Sequence, residues 1–306
     1  MTRKPFAPLR AGQTIGVIAP AGPASADALA LAPAVIEAMD LQVHLYPGCY
    51  ACDDFLAGDD ACRLADLHAA FTDPDIAAIL CLRGGYGSGR LLDRIDTALI
   101  RANPKPLIGF SDITALHALM SNAGLVSFHG PMLTSNLIHA GDPAAALGLD
   151  FLRHGLLAGT RLQPPLSQPT VHVPGIVEGR VVGGNLSLIA SLIGTPWALD
   201  VRGGILVLED ISEAPYRIDR LLLQLRLSGV LEQAAGFLIG HITSDDSPNR
   251  VLGDYLARLG KPVLSGWPLG HDEPNLLLPL GVAARLDADA GTLELLEDVV
   301  CAAPAR

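Results

Sequence analysis

No apolar stretch in these 306 residues reaches the roughly 18 to 20 needed to span a bilayer, so no membrane-spanning helix is expected. Basic residues are outnumbered, 21 against 32 acids, and the net charge of −11 repels nucleic acid and anionic membranes at long range. Neither is therefore expected as a partner, although an anionic small molecule could bind where local donors surround it. Charged residues make up only 17% of the chain while half of it is hydrophobic, the profile of a packed soluble α/β enzyme rather than a disordered chain. Internal repeats and low-complexity segments are absent. The length suits two domains at about 100 to 200 residues each.

Cysteine is sparse too. Cys49, Cys52, Cys62, Cys81 and Cys301 are an odd number with a single C-x-x-C, and no second pair or nearby histidine completes a zinc set. They are expected to be incidental reduced thiols of a cytoplasmic protein. The N-terminus offers the basic, apolar and small residues of a secretory signal, but its apolar run from Ile15 to Ala19 is short and stopped by Pro20. A first β-strand is expected there instead.

What is present is an alternation of short apolar runs with helical patterns. TIGVIAPAG (14–22), LQVHLYPG (41–48), IAAILCL (76–82), KPLIGFSD (105–112) and VSFHGPM (126–132) read as strands. Helices are expected over 27–40, over 59–74 with Leu64, Leu67, His68 and Phe71 at helical spacing, over LLDRIDTALIRAN (91–103) and over 113–124. Strands buried on both faces and separated by helices make a parallel, doubly wound sheet, whose ligands bind outside the carboxyl ends of the strands. The expected division is an N-terminal domain over 1–140, a helix and Pro-rich linker over 141–175, and a C-terminal domain over 176–306. That last part should open with a strand, a glycine turn and a helix (176–196). Strands at 203–211, 236–242 and 261–271 follow, with a strongly amphipathic helix over 216–231 and closing strands around a D-A-G turn.

Three features could carry chemistry. In LIGFSDITALH (107–117) a serine sits between a buried strand and a helix, where a sharp turn would lift its hydroxyl above the sheet edge beside the first helical amides. The stretch lacks the G-x-S-x-G of common hydrolases, so Ser111 could equally be a turn residue and Asp112 an N-cap. RGGYGSGR (83–90) is a glycine loop suited to a phosphate or an oxyanion, without the G-K-[ST] ending of a P-loop or the G-x-G-x-x-G spacing of a dinucleotide loop. A serine hydrolase also needs a base and an acid to orient it. His117, His129, His241 and His271 are the candidate bases. Glu209, Asp210 and Glu213 are the candidate acids, with Arg217 and Arg220 as possible ion-pair partners.

Together these stretches resemble the LD-carboxypeptidase family of serine peptidases, which includes murein tetrapeptide carboxypeptidases and microcin C immunity peptidases. The matching segments are IGVIAPAGP, LRGGYGSGRLLDRID, LIGFSDITALH, FHGPM, GRVVGGNLSLIASLIGTP, ILVLEDISEAPYRIDRLLLQL and PVLSGWPLGHDEPNLLLPLGVAARLD, in family order over nearly the whole chain. The resemblance implies a flavodoxin-like N-terminal domain and a mostly β C-terminal domain with some helices. It also implies a triad with Ser111 as nucleophile, Glu209 as acid and His271 as base, assembled in the cleft between the domains. The amides of Gly85 and Asp112 would form the oxyanion hole.

The implied reaction needs no metal or cofactor. It cleaves the amide between an L-centre, such as meso-diaminopimelate, and the terminal D-Ala of a murein tetrapeptide in cell-wall recycling. The alternative within the family is a microcin C-type peptidyl-nucleotide substrate, and EAPYRIDR (213–220) looks more like the murein branch. Family members are commonly homodimers. A non-catalytic protein that binds an anion or nucleotide through the glycine loop stays open as a separate class.

Overall fold

The computed structural model describes residues 5–157, 169–243 and 249–301. Its first sheet takes β1 (Thr14–Ile18), β2 (Gln42–Leu45), β3 (Ile76–Cys81), β4 (Leu107–Gly109) and β5 (Ser127–His129), all parallel, in the order 2-1-3-4-5. That is the flavodoxin-like doubly wound order. Alternate residues of β3 face opposite cores. Ile79 and Cys81 pack with Leu67 and Phe71 of α2 (Asp60–Thr72) and Leu116 of α4 (Thr114–Asn122). Ala78 and Leu80 pack with Leu29 and Ile36 of α1 (Ala26–Glu37) and Leu152 of α5 (Pro143–Leu157). Helices on both faces explain why the strands read as apolar throughout. Ser25 and Asp59 start the first two helices, each side chain accepting from the amide three residues on.

The second sheet is built from β6 (Thr170–Val173), β7 (Ile176–Asn185), β8 (Ile205–Asp210), β9 (Gly236–Ile242) and β10 (Val263–Ser265), with β7 to β10 parallel. The chain then returns to the first sheet, where β11 (Leu278–Leu280) pairs antiparallel with β5. β12 (Ala283–Asp287) and β13 (Thr292–Leu295) close the other edge of the second sheet beyond β7, and the expected turn joins them. Leu206 and Leu208 of β8 face helices α6 (Leu186–Leu192), α7 (Pro215–Leu227), α8 (Val230–Gln233) and α9 (Asn249–Leu256). Ile205 and Val207 face Trp267, Leu269, Leu278 and Leu280.

Several expectations change. A strand, β6, stands in the stretch read as a Pro-rich linker, whose residues 158–168 lie outside the described residues. The helix expected over 91–103 is a 3-10 turn at Ser88–Leu91 followed by α3, only Thr97–Ala102, because Asp96 caps Ala98 and Leu99 and fixes the start there. On α2 the buried face includes Arg63 and Asp66, charged residues that hydropathy alone sets outside.

The expected glycine turn is strand. Gly183 and Gly184, at φ +139° and +140°, pair with Val207 and Leu208 and carry β7 through to Asn185. A Cβ on Gly184 would stand 2.5 Å from Thr114 Oγ1, the atom that accepts from the Asn185 amide at 2.9 Å. This bare backbone lets the start of α4 touch the second sheet, which brings the ends of β4 and β8 together. Gly184→Ala combines an unfavourable φ, worth about 1 to 3 kcal/mol, with overpacking of similar size. Its expected outcome is a stability loss of at least about 2 kcal/mol, read as a lowered urea midpoint with an unchanged slope.

Candidate active site

Ser111 leaves β4 through Gly109 and extended Phe110 and sits at φ +61°, in the left-handed region, opening a 3-10 turn over Ser111–Ile113 that runs into α4. Such a conformation costs a non-glycine residue about 1 to 3 kcal/mol and persists only where its surroundings enforce it. Here they do. A Cβ on Gly109 would meet Ile113 and Cys81 at 3.0 to 3.1 Å, and one on Gly84 would stand 2.9 Å from Ser111 Cβ. The elbow is packed from below by its own helix and from the side by the glycine loop.

The loop after β10 brings His271 to this hydroxyl. Its Nε2 lies 2.9 Å from Ser111 Oγ, and its Nδ1 lies 2.8 Å from Oε2 of Glu209, the penultimate residue of β8. An ionised carboxylate only accepts, so Nδ1–H donates to Glu209 and Nε2 is left to accept from the serine O–H. Glu209 is fully buried, and burial alone would raise its pKa, yet the neighbouring imidazoles of His129 and His271 hold it down to about 2. Gly270, at φ +112°, lets the loop pass close above it, since a Cβ there would lie 2.7 Å from Oε2.

The His271 loop is itself braced. Gly270 N–H donates to Asn275 Oδ1 at 3.1 Å, Asn275 N–H to Glu273 Oε2 at 3.0 Å, and Asn136 Nδ2 to Glu273 Oε1 at 2.7 Å. Phe110 meets the His271 ring edge-on at 4.8 Å between centroids.

The remaining candidates separate cleanly. Asp210 faces away from Glu209 and accepts from Asn185 Nδ2, the Ser187 amide and the Ser187 hydroxyl at 2.7 to 2.9 Å. Glu213 lies 3.7 Å from Arg217 on the next helix turn. His117 is a packed residue. Its Nε2–H donates to the Gly109 carbonyl and its Nδ1 accepts from Ser127 Oγ, both at 2.8 Å, and burial pushes its pKa down to about 3. His241 donates from Nδ1 to the Asp272 carbonyl at 2.9 Å, steadying the residue after His271. His129 lies buried with Nε2 at 3.9 Å from Glu209 Oε1. In the C-x-x-C, Cys49 is buried with its thiol donating to Val17 O, pushed up to about 12 by burial, while Cys52 is exposed. Among the described residues no group of three or more His, Cys, Asp or Glu is placed to hold a metal ion.

RGGYGSGR wraps the elbow. Gly85 takes φ +105° and Gly87 +134°, turns that an L side chain rarely makes. Ser88 N–H donates to Asp112 Oδ2 at 2.8 Å and Ser88 Oγ–H to the Asp112 carbonyl at 2.5 Å. These two bonds, both donated by Ser88, tie the loop carrying the Gly85 amide to the turn carrying the Asp112 amide. Asp112 is thus not the N-cap read from the sequence: Ile113 holds that place on α4 without a side-chain bond, the Asp112 carboxylate is turned to Ser88, and burial raises its pKa. Buried Arg63 donates from Nη1 to the carbonyls of Pro20 at 2.7 Å and Gly87 at 2.8 Å and pairs with Asp60, which Arg90 grips through two bonds of 2.9 Å. Arg63 and Ser88 were not singled out from the sequence. Arg63 lies four residues before Leu67 on the buried stripe of α2, and a cation at that spacing is the signal that could have found it.

Comparisons with known proteins bear on the chain and its fold as a whole. The family profile described as the LD-carboxypeptidase N-terminal domain matches residues 15–130, and the one for the LD-carboxypeptidase C-terminal domain matches residues 178–286. A protein of Bacillus subtilis (strain 168) named "Probable murein peptide carboxypeptidase" is 42% identical over 298 residues, 91% of this chain and 90% of its own. The crystal structure of muramoyltetrapeptide carboxypeptidase from Oxalobacter formigenes superposes with a TM-score of 0.79 at 33% identity, covering 92% of this chain and 98% of that one. The microcin C7 self-immunity protein MccF in its wild-type apo state gives a TM-score of 0.90 at 26% identity, covering 98% of this chain and all of that one.

The depressed carboxyl at Glu209 has a consequence for stability. Its pKa of about 2 in the fold lies below the ordinary 4.5, so the unfolded chain binds this proton more readily. The ionised form therefore stabilises the fold fully above about pH 4.5, and that contribution is lost as pH falls through this value towards 2. Urea midpoints measured from pH 6 to 3 are expected to fall less steeply in Glu209→Gln than in the unaltered protein.

Proposed function

The chain belongs to the LD-carboxypeptidase family, and from that premise we propose that it is a serine-type LD-carboxypeptidase acting on murein tetrapeptides. The observation that carries this reading is the single imidazole of His271 joining Ser111 at 2.9 Å to the buried Glu209 at 2.8 Å. In the proposed reaction His271 takes the proton of Ser111 as the hydroxyl attacks the carbonyl of the L-centre that precedes the terminal D-Ala. Glu209 holds the imidazole in the tautomer required and stabilises the imidazolium that forms. The amides of Gly85 and Asp112 receive the oxyanion, each worth about 3 to 4 kcal/mol in sites of this kind. His271 then protonates the departing amine, D-Ala leaves, and water activated by the same imidazole resolves the acyl-enzyme.

Within this reading the N-terminal domain (1–140) supplies the nucleophile and oxyanion amides, the C-terminal domain (176–306) supplies acid and base, and the segment 141–175 joins them. The enzyme is a cytoplasmic homodimer, and its triad works without metal or cofactor. A murein peptide is favoured because the relatives at 42% and 33% identity carry murein names. A microcin-type substrate is the second reading, favoured by the 0.90 TM-score with MccF.

Incubation with a murein tetrapeptide is expected to release D-Ala, and Ser111→Ala is expected to abolish release. Undiminished release by that variant would remove Ser111 from the mechanism. Hydrolysis of an aminoacyl sulfamoyl nucleoside with no D-Ala release would select the second reading. Ser88→Ala loosens the link between the two oxyanion amides, and kcat is expected to fall by up to about 10²-fold, the cost of a small misplacement of a catalytic group, with KM little changed.

A further inference from the structure

One buried imidazole beside the site takes no part in the steps above. His129 ends β5, between Gly109 of β4 and Leu278 of β11 in register, and has no exposed surface. Its ring lies 5.7 Å from that of Phe110, which in turn packs on His271. Among the described residues, both ring nitrogens of His129 and Oε1 of Glu209 are buried side-chain atoms without a hydrogen-bond partner. Oε2 of the same carboxylate is occupied by His271.

Unpaired buried polar atoms are rare and costly, and here a donor and an acceptor face each other across 3.9 Å. That distance is too long for a hydrogen bond. Contacts within catalytic groups often tighten only when substrate is bound, and this one needs to shorten by about 1 Å to become a hydrogen bond. Among the described residues, the neighbouring titratable groups His117 and Asp210 are engaged elsewhere. His117, whose ring is 6.5 Å from that of His129, spends both its nitrogens on Ser127 and Gly109, and Asp210 is turned towards Asn185 and Ser187.

We propose that His129 is a positioning residue that donates its Nε2–H to Oε1 of Glu209, so that the carboxylate is held by one imidazole from each domain while His271 carries the proton of Ser111. The inference rests on the serine-peptidase reading and deepens it. With both oxygens engaged, the carboxylate cannot swing away from Nδ1 of His271. Losing the His129 donor leaves a buried oxygen bare. The Glu209–His271 pair then takes up a proton more readily, and the active form, with His271 neutral, is lost at a higher pH.

The test uses full-length His129→Leu and His129→Gln. D-Ala release from a murein tetrapeptide and labelling of the serine by a fluorophosphonate are followed against pH. In His129→Leu, kcat/KM is expected to fall about 10- to 100-fold, the worth of a hydrogen bond to a charged group, and its acid limb to move to higher pH. His129→Gln, whose amide can donate from nearly the same place, is expected to recover most of both. An acid limb that stays in place in His129→Leu, or a glutamine variant no better than leucine, overturns the proposal and leaves His129 a packing residue.

Histidine 15N spectra of the unaltered protein, assigned with His129→Gln, keep the question open to test if the leucine variant does not fold. A protonated Nε2 at His129 is expected, and a bare Nε2 overturns the proposal. An unaltered protein that neither releases D-Ala nor reacts with the fluorophosphonate counts against the serine-peptidase reading itself, and the spectra then decide on His129 alone.

Discussion

A carboxylate with no exposed surface must find its compensation inside the fold, and at Glu209 that requirement orders much of the molecule around it. The residue is the last but one of a strand of the second sheet, its hydrogen-bond partner comes from the loop that leads back to the first, and the hydroxyl beyond stands on the turn that follows β4 of the first sheet. Removing His271 would leave a buried carboxylate oxygen without its donor, which costs far more than the pair gains. The contact that joins Glu209 through His271 to Ser111 therefore also ties the two sheets together.

Close approach of bare backbone is the means. Gly84 admits the serine elbow, Gly270 admits the carboxylate, and Gly184 admits Thr114. Around these approaches runs a rigid frame of charge-assisted bonds, with Arg63 clamping two loop carbonyls and Ser88 bonded twice to Asp112. Strain at Ser111 and rigidity around it belong together, because a left-handed serine relaxes unless its neighbours hold it.

Much of this was legible beforehand. Apolar strands separated by helices gave the doubly wound sheet, and the 2-1-3-4-5 order then places the loops after β1, β3 and β4 along one edge. Ser111 could be suspected from its seat between strand and helix. Its partners could not, since His271 lies 160 residues on and Glu209, between the two, 62 residues before that histidine, and no local pattern links them. Physical reading left four histidines and three acids standing, and only family resemblance chose among them. Gly183 and Gly184 read as a turn because glycine usually breaks strands, whereas here close packing against β8 and α4 demands them. Arg63 escapes such a reading because hydropathy counts a guanidinium as surface even where two carbonyl oxygens and one carboxylate oxygen receive it.

The return of the chain to its first sheet has a bearing on how the protein is made. β5 has β4 on one side, and among the described residues its other side is paired with β11, which follows the central strands of the second sheet. Until those residues leave the ribosome, the amides and carbonyls of Ser127 to His129 form an open sheet edge, the kind of surface that templates pairing between chains. The first sheet thus keeps an unpaired edge until the rest of the chain arrives, and the strand that seals it runs beside His129, which has no exposed surface.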